Sequence, residues 1–209
     1  MPTTFLLIRH GATDHLQRIL SGRAPHIALN EKGWRQAETL AHLLAATPLD
    51  EIRTSPILRA RETAAIVAKA HNLAPLEDPA LLETNWGDWT LHTFAALNQD
   101  PAWLRFNQHR DIATPPGGES FSQVASRVTQ YLESLSRQYP HHTLALITHA
   151  DPIKAAVLHY SRQPLSAIQN LTIDPATYSA IVFPHTSPPR VLCSNNRQTE
   201  PRMLPTYVE

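Results

Sequence analysis

The 209-residue sequence predicts an α/β fold, namely a three-layer α/β/α sandwich around a mostly parallel central sheet. Short apolar runs typical of buried strands alternate with longer segments of helical periodicity. Parallel strands need crossover connections, so this alternation favours a parallel sheet with helices on both faces. A hydrophobic fraction of 42% and a charged fraction of 17% fit one compact domain with a sizeable core, which we expect to span residues 1–209.

The first half of the chain predicts two strand–helix units. A buried strand covers residues 5–8, and a helix follows over about 30–46, with Asn30 as its candidate cap. A second, shorter strand at 50–53 precedes an alanine-rich helix at 57–70. The chain therefore begins strand, helix, strand, helix.

The second half continues the pattern after an interruption. Residues 91–110 carry several aromatic side chains and predict a small helical insertion that covers the site rather than a second domain. The predicted later helices are 119–139 and 152–160, and the predicted later strands are 143–148, 168–173, 178–183 and 190–194. The polar segment 194–209, with two prolines, predicts a tail that lies on the surface.

Composition excludes several classes of function. The eighteen Lys and Arg balance the eighteen Asp and Glu, so no overall field favours nucleic acid or an anionic membrane. Cys193 is the only cysteine, and the apolar run that ends at Arg9 is too short for a signal-peptide core or a spanning helix. We therefore expect a soluble cytoplasmic protein, either a monomer or a homodimer.

Metal and cofactor motifs are missing from the sequence. Twelve histidines are present, but His141 and His142 form the only adjacent pair, and no Cys/His spacing fits a zinc site. No Gly-rich Walker loop or dinucleotide fingerprint occurs. The sequence therefore predicts neither a metal nor an organic cofactor.

Four polar residues lie at or shortly after the ends of predicted strands. Arg9-His10-Gly11 comes directly after the first apolar run, His149 ends a later one, and Arg59 lies one turn into the helix after the second strand. Open α/β sheets bind ligands at this edge. Imidazole has a reference pKa of about 6.5, and nearby guanidinium groups favour its neutral, nucleophilic form. Guanidinium groups also present planar donors to phosphate oxygens, so the grouping indicates a phosphate-handling histidine.

Glu83 is the candidate proton donor. Leu81, Leu82, Trp86 and Trp89 surround it in sequence, and apolar surroundings raise the pKa of a carboxyl group. A general acid that works near neutral pH requires such a raised pKa.

The motifs together resemble a known family. Segments 54–64, 82–89 and 147–153, with Arg9-His10-Gly11, are similar in order and spacing to the histidine phosphatase superfamily, the phosphoglycerate mutase-like proteins with the Arg-His-Gly signature. The resemblance covers roughly Leu6 to Ile153. It implies a phosphoglycerate mutase-like fold, phosphorylation of His10, and phosphate binding by Arg9, Arg59 and His149. It also implies that Glu83 is the proton donor.

The sequence departs from the family pattern at two positions. Ala150 stands where a glycine usually follows the second histidine, a change that leaves the donor role of His149 intact. Leu16 replaces an asparagine that would donate to phosphate or substrate. Thr13 keeps its family spacing, and Ser21 and Gly22 are further candidate substrate contacts.

These observations predict a metal-independent phosphomonoesterase that acts through phosphohistidine on small phosphate esters, a histidine acid phosphatase-type phosphoric monoester hydrolase. One alternative is a cofactor-dependent phosphoglycerate mutase, against which Leu16 argues. The other is a non-catalytic module that binds phosphorylated ligands, which would need neither His10 as a nucleophile nor Glu83 as a proton donor. The sequence does not name the substrate, which could be a sugar phosphate, a phosphoglycerate, a nucleotide precursor or a phosphoprotein.

Overall fold

The computed structural model describes residues 1–197 of the chain. Within that range, six strands form one sheet with the order β3–β2–β4–β1–β5–β6. The strands are β1 (Thr3–Arg9), β2 (Glu51–Thr54), β3 (Leu76–Glu77), β4 (Thr143–Thr148), β5 (Tyr178–Phe183) and β6 (Arg190–Asn196). β1 to β4 are mutually parallel, and β5 runs antiparallel to its neighbours β1 and β6. The predicted α/β fold with a mostly parallel sheet is confirmed.

Helices cover both faces of this sheet. They are α1 (Glu31–Leu44), α2 (Leu58–His71), α3 (Phe94–Leu97), α4 (Pro101–Gln108), α5 (Phe121–Gln138) and α6 (Ala150–Tyr160). Single 3₁₀ turns cover Pro79–Leu81 and Gly87–Trp89, and a longer 3₁₀ segment covers Leu165–Asn170. No helix among residues 1–197 combines the length and the apolar character needed to cross a membrane.

The alternation of side chains along β1 divides the core into two layers. Phe5 and Leu7 pack in one cluster with the apolar faces of α5 and α6. Leu6 and Ile8 point to the other face and pack with α1 and α2. Successive strand residues face opposite sides, so a continuous apolar run is what a strand covered on both sides requires.

Polar caps fix where the helices begin. The side chain of Asn30 accepts a hydrogen bond of 2.9 Å from the Gly33 amide, which confirms it as the cap of α1. Ser120 caps α5, and its side chain and that of Gln123 each accept from the other's backbone amide. Helix α6 begins at Ala150, two residues before the predicted start.

One predicted strand was wrong, and one strand was missed. The expected strand at 168–173 is instead the end of the 3₁₀ segment Leu165–Asn170 followed by irregular chain. Ile168 and Ile173 are nevertheless both buried, so apolar spacing alone did not separate a strand from a turn that packs on α6. The strand β3 was missed because both of its residues are exposed and give no apolar signal.

The predicted surface tail also starts too early. Residues 194–196 belong to β6 and pair with β5, so the proposed tail cannot begin at residue 194. The rest of that prediction, residues 198–209, lies outside the described residues.

Candidate active site

The ends of β1, β2 and β4 bring the predicted phosphate-handling residues together. Arg9 pairs in register with Thr148, so His10 and His149 are the next residues on two adjacent parallel strands. Their ring centroids are 5.1 Å apart. Arg59 reaches the same place from the first turn of α2, which follows β2.

The hydrogen bonds of His10 fix its tautomer. Its Nδ1 lies 2.7 Å from the backbone oxygen of Gly11, and its Nε2 lies 3.0 Å from Nε of Arg59. Because a guanidinium group can only donate, Nε2 carries the lone pair and Nδ1 carries the proton. Burial first, and then the charges of Arg59 and Arg9, hold the pKa of His10 well below its ordinary value. His10 is therefore neutral near pH 7.

The loop that carries His10 is pressed against helix α1. A Cβ atom on Gly11 would lie 2.5 Å from the backbone oxygen of Gly33, and a Cβ on Gly33 would collide with the oxygen of Ala12. The loop and the first turn of α1 can approach this closely only because both positions are glycine. This contact explains why glycine follows the histidine.

Arg59 is held by several acceptors. Its side chain is almost fully buried, and its Nη2 donates to the oxygen of Gly22 at 2.7 Å, while Nη1 donates to that of Ala24 at 3.4 Å. Burial lowers its pKa to about 10, so Arg59 remains a cation at neutral pH.

His149 lies behind Arg59 rather than at the surface of the cleft. Its Nδ1 accepts from Nη2 of Arg59 at 3.2 Å, so its Nε2 carries the proton and donates to Oγ of Ser55 at 2.9 Å. It is fully buried, and burial followed by the charge of Arg59 keeps its pKa well below the ordinary value. The structure thus places His149 next to His10 and Arg59, with its own N–H directed at Ser55.

Arg9 holds an unused donor. One of its terminal nitrogens donates to the backbone oxygen of Ile173, whereas its Nε is buried and has no hydrogen-bond partner among the described residues. A buried donor without a partner is costly, and an anion bound beside it would supply the missing acceptor.

An open cleft of about 360 Å³ begins at these residues. Arg9, His10 and Arg59 line one part of it, and Glu83 lines the same cleft. Burial raises the pKa of Glu83 to about 7, and the negative charge of Asp151 acts in the same direction. One carboxyl oxygen of Glu83 accepts from the Thr84 amide at 2.8 Å. Within residues 1–197, no three His, Cys, Asp or Glu side chains are grouped to hold a metal ion.

The candidate substrate contacts also lie at the cleft. Thr13, Ser21 and Gly22 are all among its lining residues, and so is Leu16, which replaces the expected asparagine. The hydroxyl of Ser21 lies 3.1 Å from Nδ1 of His15. The carbonyl of Gly22 accepts a hydrogen bond from Arg59, so Gly22 helps to hold that side chain in place.

The segment 91–110 forms the far wall of the cleft. Phe94, Trp103 and Asn107 from this segment line it, and Trp103 packs against Trp86 with their rings 5.9 Å apart. This aromatic cluster is separate from the two layers that flank the sheet.

Sequence reasoning missed an ion pair in this wall. Nη2 of Arg110 lies 2.7 Å from Oδ2 of Asp151, and both residues line the cleft. Asp151 stands two residues after His149 in a segment already singled out, so its place near the site was readable from the motif. Its pairing with a residue 41 positions away was not.

Comparison with known proteins identifies the family. The family model for the histidine phosphatase superfamily (branch 1) matches residues 5–197. The bifunctional protein Rv2228c of Mycobacterium tuberculosis is 36% identical over 185 residues, covering 87% of this chain and 50% of that protein. The chain therefore spans about half the length of this curated relative.

A shorter relative and a solved structure match along most of their lengths. The adenosylcobalamin/alpha-ribazole phosphatase of Salmonella typhimurium is 29% identical over 181 residues, covering 84% of this chain and 88% of that protein. The solved structure of Bacillus stearothermophilus YhfR superposes with a TM-score of 0.87 at 27% identity, covering 94% of this chain and 98% of that one.

Proposed function

Because the chain belongs to the histidine phosphatase superfamily, we propose that it is a metal-independent phosphomonoesterase that acts through phosphohistidine at His10. The observation that carries the proposal is the tautomer of His10. Its Nδ1 proton is directed at Gly11 and its Nε2 lone pair at Arg59, within a cleft that also holds Glu83. A nucleophile and a proton donor on one cleft are what phosphoryl transfer needs and a simple binding module does not.

In the first step, phosphoryl oxygens accept hydrogen bonds from Arg59 and from the unused Nε of Arg9. Arg59 then no longer donates to His10, and the Nε2 lone pair is free. Nε2 attacks phosphorus, the bond from phosphorus to the leaving oxygen breaks, and protonated Glu83 gives its proton to that oxygen. The Gly11 carbonyl stabilises the positive charge that develops on the ring, and the two arginines offset charge on the phosphoryl oxygens.

In the second step, water attacks the phosphorus of phosphohistidine. Glu83, now a carboxylate, accepts a proton from the water as the bond between Nε2 and phosphorus breaks. A pKa of about 7 suits both steps, because protonated and ionised forms of Glu83 are then both populated near neutral pH. His149 contacts Arg59 through Nδ1, which accepts a hydrogen bond while the ring proton is on Nε2. Nδ1 of His149 can donate to the phosphoryl group only after the ring proton has moved from Nε2 to Nδ1.

The size of the cleft, about 360 Å³, supports a small phosphate ester as substrate. The alternative of a mutase would require a polar contact with a sugar acid. Leu16, an apolar side chain in the cleft wall, stands where the resemblance places such a donor.

Trapping the intermediate tests the proposal. Rapid quenching into alkali with a ³²P-labelled ester should give an alkali-stable, acid-labile phosphoenzyme that is absent in His10→Ala. Transfer of the label to water rather than to added phosphoglycerate identifies a phosphatase. If the protein hydrolyses the labelled ester without ever acquiring the ³²P label, the mechanism is overturned. If the protein binds the ester without hydrolysing it, the protein is a binding module.

A further inference from the structure

The ion pair between Arg110 and Asp151 joins the 91–110 insertion to the core of the protein. Asp151 lies in the first turn of α6, two residues after His149, and Arg110 follows α4. Their side chains are only 15% and 10% exposed, so the pair lies largely out of water. A pair in such a place is costly to break from one side, because the remaining charge stays buried.

Aromatic rings hold Arg110 in place. Its guanidinium group lies 5.2 Å from the ring centroid of Trp86 and 5.6 Å from that of Phe106. Contact with a ring face attracts a cation and restricts it to a narrow range of orientations. Arg110 is thus directed at Asp151 by the same aromatic cluster that forms the wall of the cleft.

Glu83 is a titratable group that lines the same cleft as Arg110 and Asp151. Among the charges that act on it, Asp151 from α6 is the carboxylate that favours its protonated form, whereas Arg59 from α2 and Arg9 from β1 favour its ionised form. Cations on other neighbouring elements also interact with it, namely Arg23 before α1 and Lys154 on α6. The charge of Asp151 therefore acts on Glu83 in the direction opposite to the charges of the neighbouring arginines and lysine.

We propose that Asp151 is a positioning residue that keeps Glu83 in its proton-bearing form, and that Arg110 limits this effect by pairing with Asp151. The inference rests on the proposed role of Glu83 as general acid. The insertion thereby takes part in the chemistry through charge as well as by forming a wall.

Opposite shifts of one pH profile test the proposal. Single-turnover phosphorylation by an alkyl phosphate should slow as pH rises and Glu83 loses its proton. In Asp151→Asn the negative charge is gone and Arg110 is unpaired, so this alkaline limb should move down by roughly one pH unit. In Arg110→Met the charge of Asp151 is no longer offset, so the limb should move up by a similar amount. A purely structural defect would lower the rate without moving the limb in opposite directions.

Three further variants complete the design. Glu83→Gln should abolish the limb, which identifies it with that residue. Arg110→Lys restores a cation, and its limb should lie within about 0.3 units of the parent's, well inside the expected shift. Arg105→Gln, which makes the same charge change on an exposed part of α4, should leave the profile unchanged.

The outcomes distinguish the general-acid role of Glu83 from the effect of Asp151 and Arg110 on that residue. A limb that persists in Glu83→Gln would refute the proposed general acid itself. The inference alone is refuted if the limb disappears in Glu83→Gln but does not move to lower pH in Asp151→Asn. It is also refuted if the limb moves in the same direction in Asp151→Asn and Arg110→Met. If Arg110→Met does not fold, the near-isosteric Asp151→Asn together with Arg110→Lys decides the question.

Discussion

Glu83→Gln should discriminate between substrates by how much help their leaving groups need. Glutamine keeps the size of the side chain and removes the transferable proton. An alkyl alkoxide is a very poor leaving group and must be protonated as it departs, whereas nitrophenolate leaves as a stable anion near neutral pH. The loss in the phosphorylation step should therefore be large for alkyl phosphates and small for nitrophenyl phosphate.

The site geometry sets the size of the effect. With its pKa raised from the ordinary 4.5 to about 7, roughly half of Glu83 is protonated at pH 7. At the ordinary value only about 0.3% would be, so burial increases the active fraction roughly 150-fold. A positioned general acid contributes about a hundred- to ten-thousandfold. We expect a loss in that range for alkyl phosphates and a loss of about tenfold or less for nitrophenyl phosphate.

Rapid-quench single-turnover measurements are needed, since Glu83 is also proposed to activate water in the second step. A slow second step would accumulate phosphohistidine and lower steady-state rates equally for both substrates. Asp88→Asn is the matched control, because Asp88 is an exposed carboxylate five residues away, and its loss should leave both rates unchanged. Equal losses of phosphorylation rate for the two leaving groups would show that Glu83 is not the acid.

Four other outcomes are expected. His10→Ala should lose at least about a thousandfold in turnover while keeping a native circular dichroism spectrum; near-parental activity would contradict a phosphohistidine route. In urea titrations, the free energy of unfolding of Glu83→Gln should exceed that of the parent by about 3 kcal/mol above pH 7, and the two values should converge below pH 4.5. Burial raises the pKa of Glu83 in the folded state, so the parent loses stability as the pH rises between those two values. Arg59→Met should weaken inhibition by orthovanadate roughly a hundredfold, since it removes a cation and several donors; an unchanged inhibition constant would exclude Arg59 from the anion site. Activity should survive excess EDTA, because Arg9 and Arg59 already supply cationic charge, and rescue of a chelated sample by zinc or magnesium would refute this.

The sequence predicted the parts of the fold and site that follow from local pattern. Continuous apolar runs marked β1 and β4, and the first polar residues after them, Arg9, His10 and His149, meet in the structure because parallel strands share one carboxyl edge. Asn30 was readable as a cap from its own chemistry. Each of these inferences needed only a few neighbouring residues.

What the sequence could not show depends on contacts between distant segments. The pairing of Arg110 with Asp151 requires the insertion to fold across the cleft, and nothing near either residue encodes it. His149 stays a predicted phosphate contact, and its full burial and its hydrogen bond to Arg59 were not readable from the motif. The short strand β3 pairs through its backbone alone, so its exposed side chains carry no signal.

The carbonyl of Gly11 that accepts from His10 has a consequence for how such enzymes diversify. The acceptor belongs to the main chain, so no side-chain substitution removes the acceptor atom itself, and the glycines at 11 and 33 keep its loop in place. In the wall formed by the 91–110 insertion, the cleft is lined instead by side chains such as Phe94 and Asn107, which substitutions do alter. Substitutions at Phe94 or Asn107 can therefore change which alcohol fits the cleft while the main chain still orients His10.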